Sequence, residues 1–364
     1  MESPLRCRLI ACSLDARVEQ IHTGLAQLHR DGRIRLRQNV LRHDPATGRR
    51  AADLPRAIHS DTGYTRLAIE DGPTLHFDLA DGDAISPTGL AEADVYFKRS
   101  YSPTVAAAQP GGGAQIRPLG LNLPFFPDFI DRFAIQRTLH LLPWSQVPAA
   151  LVRAVDTGNR LTFLPRDRYF GAQPDYDAPP RALFLVRAWD PHDDPARPPE
   201  KVAEFHAVNE TRAACIRALR SAFGDRFLGG FSHTPYAVQH YGDLLAPSAS
   251  LTTKRSYFSL LARYPICVAT TGLHGSIGWK VGEYTGLAKA IVTEPLCYTV
   301  PGGFGPGSHY LEFADADQCA AVVARLFDDA ALRRHLMEQS LAYYREWVRA
   351  DQLVWHAIQT AQSR

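Results

Sequence analysis

The amino-acid sequence predicts an α/β protein of two doubly wound domains. Three observations lead there. Short apolar runs at 182–188, 266–270 and 290–293 have the length of strands buried on both faces. They alternate with longer stretches whose apolar residues recur at helical spacing, the pattern of parallel strands joined by crossover helices. The series occurs twice, on either side of a Pro-, Asp- and Tyr-rich stretch at 165–180, and 364 residues exceed what one domain usually holds.

Taken in order, 7–14 is a first strand. Val18, Ile21, Leu25 and Leu28 then mark a helix that Asp31-Gly32 closes, and 34–40 alternates as a second strand. Further strands are expected at 65–69, 74–79, 93–97 and 115–119, with a glycine loop at 109–113 and helices at 128–142 and 146–155. The second series has strands at 182–188, 226–231, 266–270, 290–293 and 310–313. Its helices fall at 199–223, 251–261, 277–288 and 317–327, with a long helical stretch at 331–359. The expected domains are 1–160 and 181–340, with a linker at 161–180 and a C-terminal helix at 341–364.

Composition narrows the partners. A net charge of +2, with arginines scattered rather than clustered, gives no footprint for nucleic acid. The six cysteines contain no CxxC pair and several sit in apolar patterns, which suits a reducing compartment. No segment approaches the roughly 18 apolar residues of a membrane span, so the expectation is a cytoplasmic protein without an integral membrane segment. No zinc spacing, HExxH or GxSxG occurs. The acidic pairs Asp81/Asp83, Asp175/Asp177 and Asp315/Asp317 fit turn and cap chemistry.

The richest stretch is 266–295, where a buried strand, a small-residue turn, a helix and a second strand follow one another. A turn that opens a helix offers unpaired N–H groups and the positive end of a dipole, both suited to phosphate. Lys280 and Glu283 lie three apart on that helix, a cation for phosphate and a carboxylate for ribose hydroxyls.

On these residues the C-terminal half, about 180–360, resembles the nucleotide-sugar-dependent glycosyltransferases of GT-B architecture, two Rossmann-like domains facing a cleft. The resemblance rests on His274-Gly275-Ser276, Lys280, Glu283, the run 286–292 and the ending from Tyr310 onward. It implies that Glu283 binds the donor ribose and that the turn 274–276 cradles the diphosphate. It also implies transfer of a sugar from a nucleotide-diphosphate donor to a hydroxyl acceptor such as a glycan, lipid or natural product. Many retaining members carry a second Glu eight residues earlier, where this chain has Gly275. A nucleotide-sugar epimerase of the same fold, or a non-catalytic nucleotide- or carbohydrate-binding protein, remains open.

Other candidates come from position. Arg187 ends an apolar strand and points to the crevice where α/β proteins bind ligands, so it is a candidate for stabilising the leaving diphosphate; an interdomain salt bridge is the alternative. Lys254 opens a helix and is a further phosphate candidate. With Arg, Lys and helix N–H groups at hand, no metal or other cofactor is required. Lys98-Arg99-Ser100 follows the fifth strand expected in the first domain and suits a hydroxyl-rich or anionic ligand. Asp15, just after the first strand, is the candidate base, with helix capping as its alternative.

Overall fold

The computed structural model describes residues 3–43, 63–113 and 115–363. The chain divides into two compact units. Unit 1 comprises Met1–Phe170, Tyr298–Gly302 and Arg345–Arg364, and unit 2 comprises Gly171–Cys297 and Gly303–Tyr344. Both are doubly wound α/β units of the Rossmann-like kind.

Unit 1 holds strands β1 (Leu5–Ala11), β2 (Ile34–Val40), β3 (Tyr64–Ile69), β4 (Thr74–Asp78), β5 (Val95–Lys98) and β6 (Ile116–Pro118), in the order β2-β1-β3-β4-β5-β6. All run parallel except β3, which is antiparallel to both neighbours. The cause lies in Glu70-Asp71-Gly72-Pro73. A four-residue connection closes a hairpin, whereas a parallel crossover needs about a dozen residues or more, and here Gly72 N–H closes the turn onto Ile69 O at 3.1 Å.

The first two strands carry alternating side chains. Cys7, Leu9 and Ala11 on β1, with Ile34 and Leu36 on β2, face the core, while Arg6, Arg8, Arg35 and Arg37 are exposed. This corner is therefore open on one face, unlike the two-sided cover expected of parallel strands. On the inner face two helices, Glu19–Arg30 and Ala350–Gln362, supply Ile21, Leu25, Leu28, Val354 and Ile358, all fully buried. They meet at Gly24, where a Cβ would stand 2.1 Å from the Ala350 carbonyl oxygen.

Two boundaries differ from the sequence expectation. The expected linker begins inside unit 1, because Arg166 is buried and donates to the carbonyls of Pro127 (2.6 Å), Asp156 (3.0 Å) and Arg153 (3.1 Å). The expected long C-terminal helix is broken. Helix Ala330–Tyr343 ends in a π turn at Tyr344–Val348, Arg349 is extended, and Ala350–Gln362 resumes in unit 1.

Unit 2 holds β7 (Ala182–Val186), β8 (Phe227–Phe231), β9 (Ile266–Ala269), β10 (Ala290–Thr293) and β11 (Tyr310–Glu312) in an all-parallel sheet ordered β11-β10-β9-β7-β8. Every residue of β7, β9 and β10 is buried, as their unbroken apolar runs require. The long helix Pro199–Phe223 contributes Ala213, Ile216 and Leu219, and helix Ala316–Asp328 contributes Val323 and Leu326 to one shared core. The chain leaves β7 for β8 on one side and returns to β9 on the other. That reversal makes β7/β9 the topological switch point, the place where open α/β sheets bind ligands beyond the carboxyl ends of their strands.

Two outcomes test the packing of unit 1. Gly24→Ala forces the two helices apart and should lower stability by about 2 kcal/mol, as overpacking does; an unchanged urea midpoint would contradict the close approach. His76 lies flat between Tyr64 and Tyr96 at 4.9 and 4.7 Å, with both ring nitrogens buried and unpartnered. Burial pushes its pKa down to about 4. Below pH 6.5 the unfolded chain takes up a proton that the native ring refuses, so stability is lost as pH falls from 6.5 to about 4. The share of that loss due to His76, about 3 kcal/mol, should vanish in His76→Phe when urea melts are compared across this range.

Candidate functional site

At the carboxyl edge of β7, Arg187 is exposed and its guanidinium lies over the Trp189 ring at 4.9 Å. No carboxylate pairs with it among the described residues. The cation stands exposed beside the switch point.

Beneath this surface sits Arg212, which sequence reasoning missed. Its Nη1 donates to Arg187 O (2.8 Å), its Nε to Thr270 Oγ1 (3.0 Å) and its Nη2 to Thr271 O (3.3 Å). Burial pulls its pKa down to about 10, against the opposing charge of Glu294. One guanidinium thereby joins the exits of β7 and β9. Asn209, one helical turn earlier on Pro199–Phe223, pins Trp189 by both its N–H (2.9 Å) and its C=O (2.7 Å). Nothing in the run NETRAA distinguishes these side chains from the solvated face of a helix.

The bend after β9 is wound tightly. His274 and Gly275 both adopt left-handed backbone angles, φ 62° and 63°. The sequence predicted that amides here stand open for a diphosphate. Instead the chain's own oxygens occupy them. Thr271 N–H donates to Glu294 Oε2 (2.8 Å), Gly272 N–H to Ser276 O (2.8 Å), Ser276 N–H to Leu273 O (3.2 Å), and His274 N–H to Glu204 Oε1. Ser276 is buried. Of the expected cradle at His274, Gly275 and Ser276, the His274 and Ser276 amides are taken internally; displacement of Glu204 would free that of His274, and displacement of Glu294 that of Thr271.

Glu204 belongs to a small cluster. Lys201 Nζ donates to Glu204 Oε2 at 2.8 Å and stands 3.0 Å from His274 Nδ1. Burial works to raise the Glu204 pKa, but the Lys201 and His274 hydrogen bonds outweigh it and hold the carboxyl below its usual value. Position 275, where the resembling family often carries a second Glu, is closed to one. A Cβ there would meet Cys297 Sγ at 3.2 Å on a left-handed backbone that L side chains rarely adopt.

Helix Trp279–Gly286 brings Lys280, Glu283 and, from helix Lys254–Leu261, Lys254 into one electrostatic neighbourhood around Tyr257. Lys280 Nζ donates one of its three hydrogens to Tyr257 OH at 2.9 Å and lies over that ring at 4.1 Å. Burial raises the Glu283 pKa, opposed by the charges of Lys280 and Lys254; burial likewise lowers that of Lys280. A carboxyl pushed up beside an ammonium pushed down adds little stability, and such pairs concentrate at functional sites.

The candidates in unit 1 are committed elsewhere. Lys98 is buried with its Nζ on Asp78 at 2.9 Å, Asp78 also accepts from Tyr96 OH, Arg99 pairs with Asp81, and Ser100 Oγ donates to Asp81 O at 2.7 Å. The expected ligand contact at Lys98, Arg99 and Ser100 gives way to a buried ionic lock that ties β4 to β5. Asp15 caps the turn that follows it, accepting from Arg17 N–H at 2.8 Å and from the Arg17 guanidinium at 2.7 and 2.9 Å. Burial acts to raise its pKa, yet Arg17 holds it below the usual value. A carboxylate so held is a weak base, and the capping alternative is the one the structure adopts. Glu294 could have been found from sequence, because it ends the apolar strand AIVT just as Arg187 ends ALFLV.

The Glu204 contact can be followed by amide exchange. Its depressed pKa means that the contact is fully present above the unfolded value near 4.5 and is lost as pH falls through the lower native value. Protection of the His274 amide, corrected for intrinsic rates, should fall over that range in the native chain and show no such pH dependence in Glu204→Gln.

No family model and no curated protein matches the chain. Among the described residues no three His, Cys, Asp or Glu are grouped to hold a metal, and no helix is long and apolar enough to cross a membrane. The chain is similar to sucrose-phosphate synthase from Thermosynechococcus elongatus, at 15% identity and TM-score 0.41 over 79% of this chain and 67% of that one. It is similar to Anabaena Alr3699/HepE in complex with UDP and glucose, at 12% identity and TM-score 0.40 over 77% of this chain and 68% of that one. It is also similar to UDP-GlcNAc 2-epimerase from Neisseria meningitidis bound to UDP-GlcNAc, at 10% identity and TM-score 0.36 over 75% of this chain and 62% of that one. A likeness of this kind concerns the course of the chain alone. At these TM-scores it is loose, and the architecture of this chain stands on its own strand orders.

Proposed function

We propose that the chain is a glycosyltransferase that takes its sugar from a nucleotide-diphosphate donor bound at the switch point of unit 2. The observation that carries this reading is Arg187, an exposed cation with no carboxylate paired to it among the described residues, set at the carboxyl edge of β7 beside Trp189. In this reading the guanidinium takes two diphosphate oxygens and offsets the charge that grows on the leaving group. Glu283 accepts the ribose hydroxyls, and ligand binding relieves the cost of its burial. Lys280 and Lys254 supply further positive potential, so the chemistry needs no metal ion. Glu204, which already sits on the His274 amide, holds the place of an anionic oxygen until the donor arrives.

The test is calorimetry with UDP, GDP, ADP and dTDP and with the matching monophosphates. One diphosphate should bind selectively. Arg187→Ala should weaken that diphosphate about tenfold to a hundredfold, the worth of a charged hydrogen-bonded contact, and should narrow its advantage over the monophosphate. Glu283→Ala should weaken both by a similar factor. The reading is overturned if no nucleoside diphosphate binds, or if Arg187→Ala binds as the native chain does.

A further inference from the structure

Unit 1 carries an apolar surface that neither its own core nor the nucleotide site explains. It lies along the helical hairpin formed by Arg132–Leu141 and Val147–Val155 and the turn that follows. Trp144 at the apex of the hairpin is 79% exposed and Leu161 is 78% exposed, with Ile130, Leu139, Val152 and Val155 exposed as well. These are six of the eight large exposed hydrophobic residues among those described, gathered into 32 residues of chain.

The second helix is the more telling of the two. Its sequence, VPAALVRAV, is apolar on all sides apart from Arg153, yet only Val147 and Ala150 are buried. An amphipathic helix would turn polar groups outward, and a helix apolar on all sides belongs in a buried setting. This one shows Pro148, Ala149, Val152 and Val155 to solvent. The turn after it is rigid rather than frayed, because the Asp156 carboxylate accepts from the N–H groups of Arg160 (2.9 Å), Leu161 (2.8 Å) and Thr162 (2.7 Å). Leu161 is thereby held outward by design of the backbone.

Charge decides the occupant. From 132 to 155 there is no Asp or Glu, while Arg132, His140, Arg153 and, just beyond, Arg160 are exposed. Asp156, the one acid between 132 and 161, is spent on three backbone N–H groups. Protein partners tolerate both signs around an apolar centre; a surface whose other exposed charges are all cations, with an exposed tryptophan at its tip and apolar residues between, fits a negatively charged bilayer. Tryptophan settles at the headgroup level with its ring in the apolar layer and its N–H in the wet one, and arginines reach back to phosphate.

We propose that this hairpin docks unit 1 peripherally onto a membrane that carries anionic lipid headgroups. Trp144 and Leu161 enter the interface, and Arg132, Arg153 and Arg160 contact the phosphates. The contact is a surface one. It calls for no spanning helix.

Vesicle flotation of the full chain tests it, with phosphatidylcholine vesicles alone and with vesicles containing phosphatidylglycerol. The native chain should float with the anionic vesicles, at least about tenfold more than with neutral ones, and added salt should release it. Trp144→Ser/Leu161→Ser should lose about tenfold or more of the binding, and Arg153→Glu/Arg160→Glu a similar factor, both with unchanged far-UV circular dichroism and melting temperature. Because all four side chains are exposed, folding should survive; if one pair disturbs it, the other gives the answer. The Trp144→Phe difference spectrum should show the native indole emission moving to shorter wavelength on vesicles. The proposal is overturned if the chain fails to float, if it floats equally on neutral vesicles, or if the serine variants abolish a dimer in sedimentation while leaving flotation unchanged, which would assign the face to a second copy.

Discussion

Arg212 is a full charge without a counter-ion at contact distance among the described residues, held by two carbonyls and a hydroxyl. Removing it would leave the carbonyls of Arg187 and Thr271 facing a void, and an unsatisfied buried acceptor costs about 1–3 kcal/mol. Its value is positional. A parallel sheet fixes its strands through their ladders, but the loops that leave the strands have no ladder. Arg212 supplies one fixed point for both loops at the switch point, and the placement of Arg187, Trp189 and the bend at 271–276 follows from it.

The same economy explains the bend. Four amides that a helix-opening turn would leave open are each answered from within the unit, two by carboxylates from distant parts of the sequence. Two left-handed residues in succession draw Glu204 from the helix after β7 and Glu294 from the end of β10 onto one loop. The carboxylates carry the charge a phosphate would carry, so the loop is ordered without a ligand. Exchanging one anion for another costs less than ordering a loose loop around a newcomer.

Much of the fold was legible because it depends on local pattern. ALFLV, ICVA and AIVT could be buried strands of a parallel sheet and little else, and helix 199–223 carries apolar residues at helical spacing over Ile216, Leu219 and Phe223. The antiparallel β3 was readable too, from the Glu70–Pro73 turn, but yielded to the assumption that every strand in the series runs the same way. The open corner at Arg6, Arg8, Arg35 and Arg37 was written in the alternation of β1 and β2. The site was less legible. Arg187 and Glu283 could be placed by their elements, whereas Lys98, Arg99 and Asp15 could not be judged until their partners Asp78, Asp81 and Arg17 were known. A charged residue at a strand end reads the same whether it awaits a ligand or is locked to its neighbour, since the partner's distance in space leaves no trace in local sequence. Glu204 and Arg212 belong to that same blind spot.

The meeting of helices at Gly24 and Ala350 joins stretches more than three hundred residues apart. During synthesis, unit 2 is complete once Tyr344 has emerged, but the inner face of β1 and β2 has only helix Glu19–Arg30 over it until the residues after Arg349 arrive. The unit made first is therefore finished last. Its apolar sheet face must wait half covered through the making of the whole second unit, the interval in which a nascent chain most needs a chaperone.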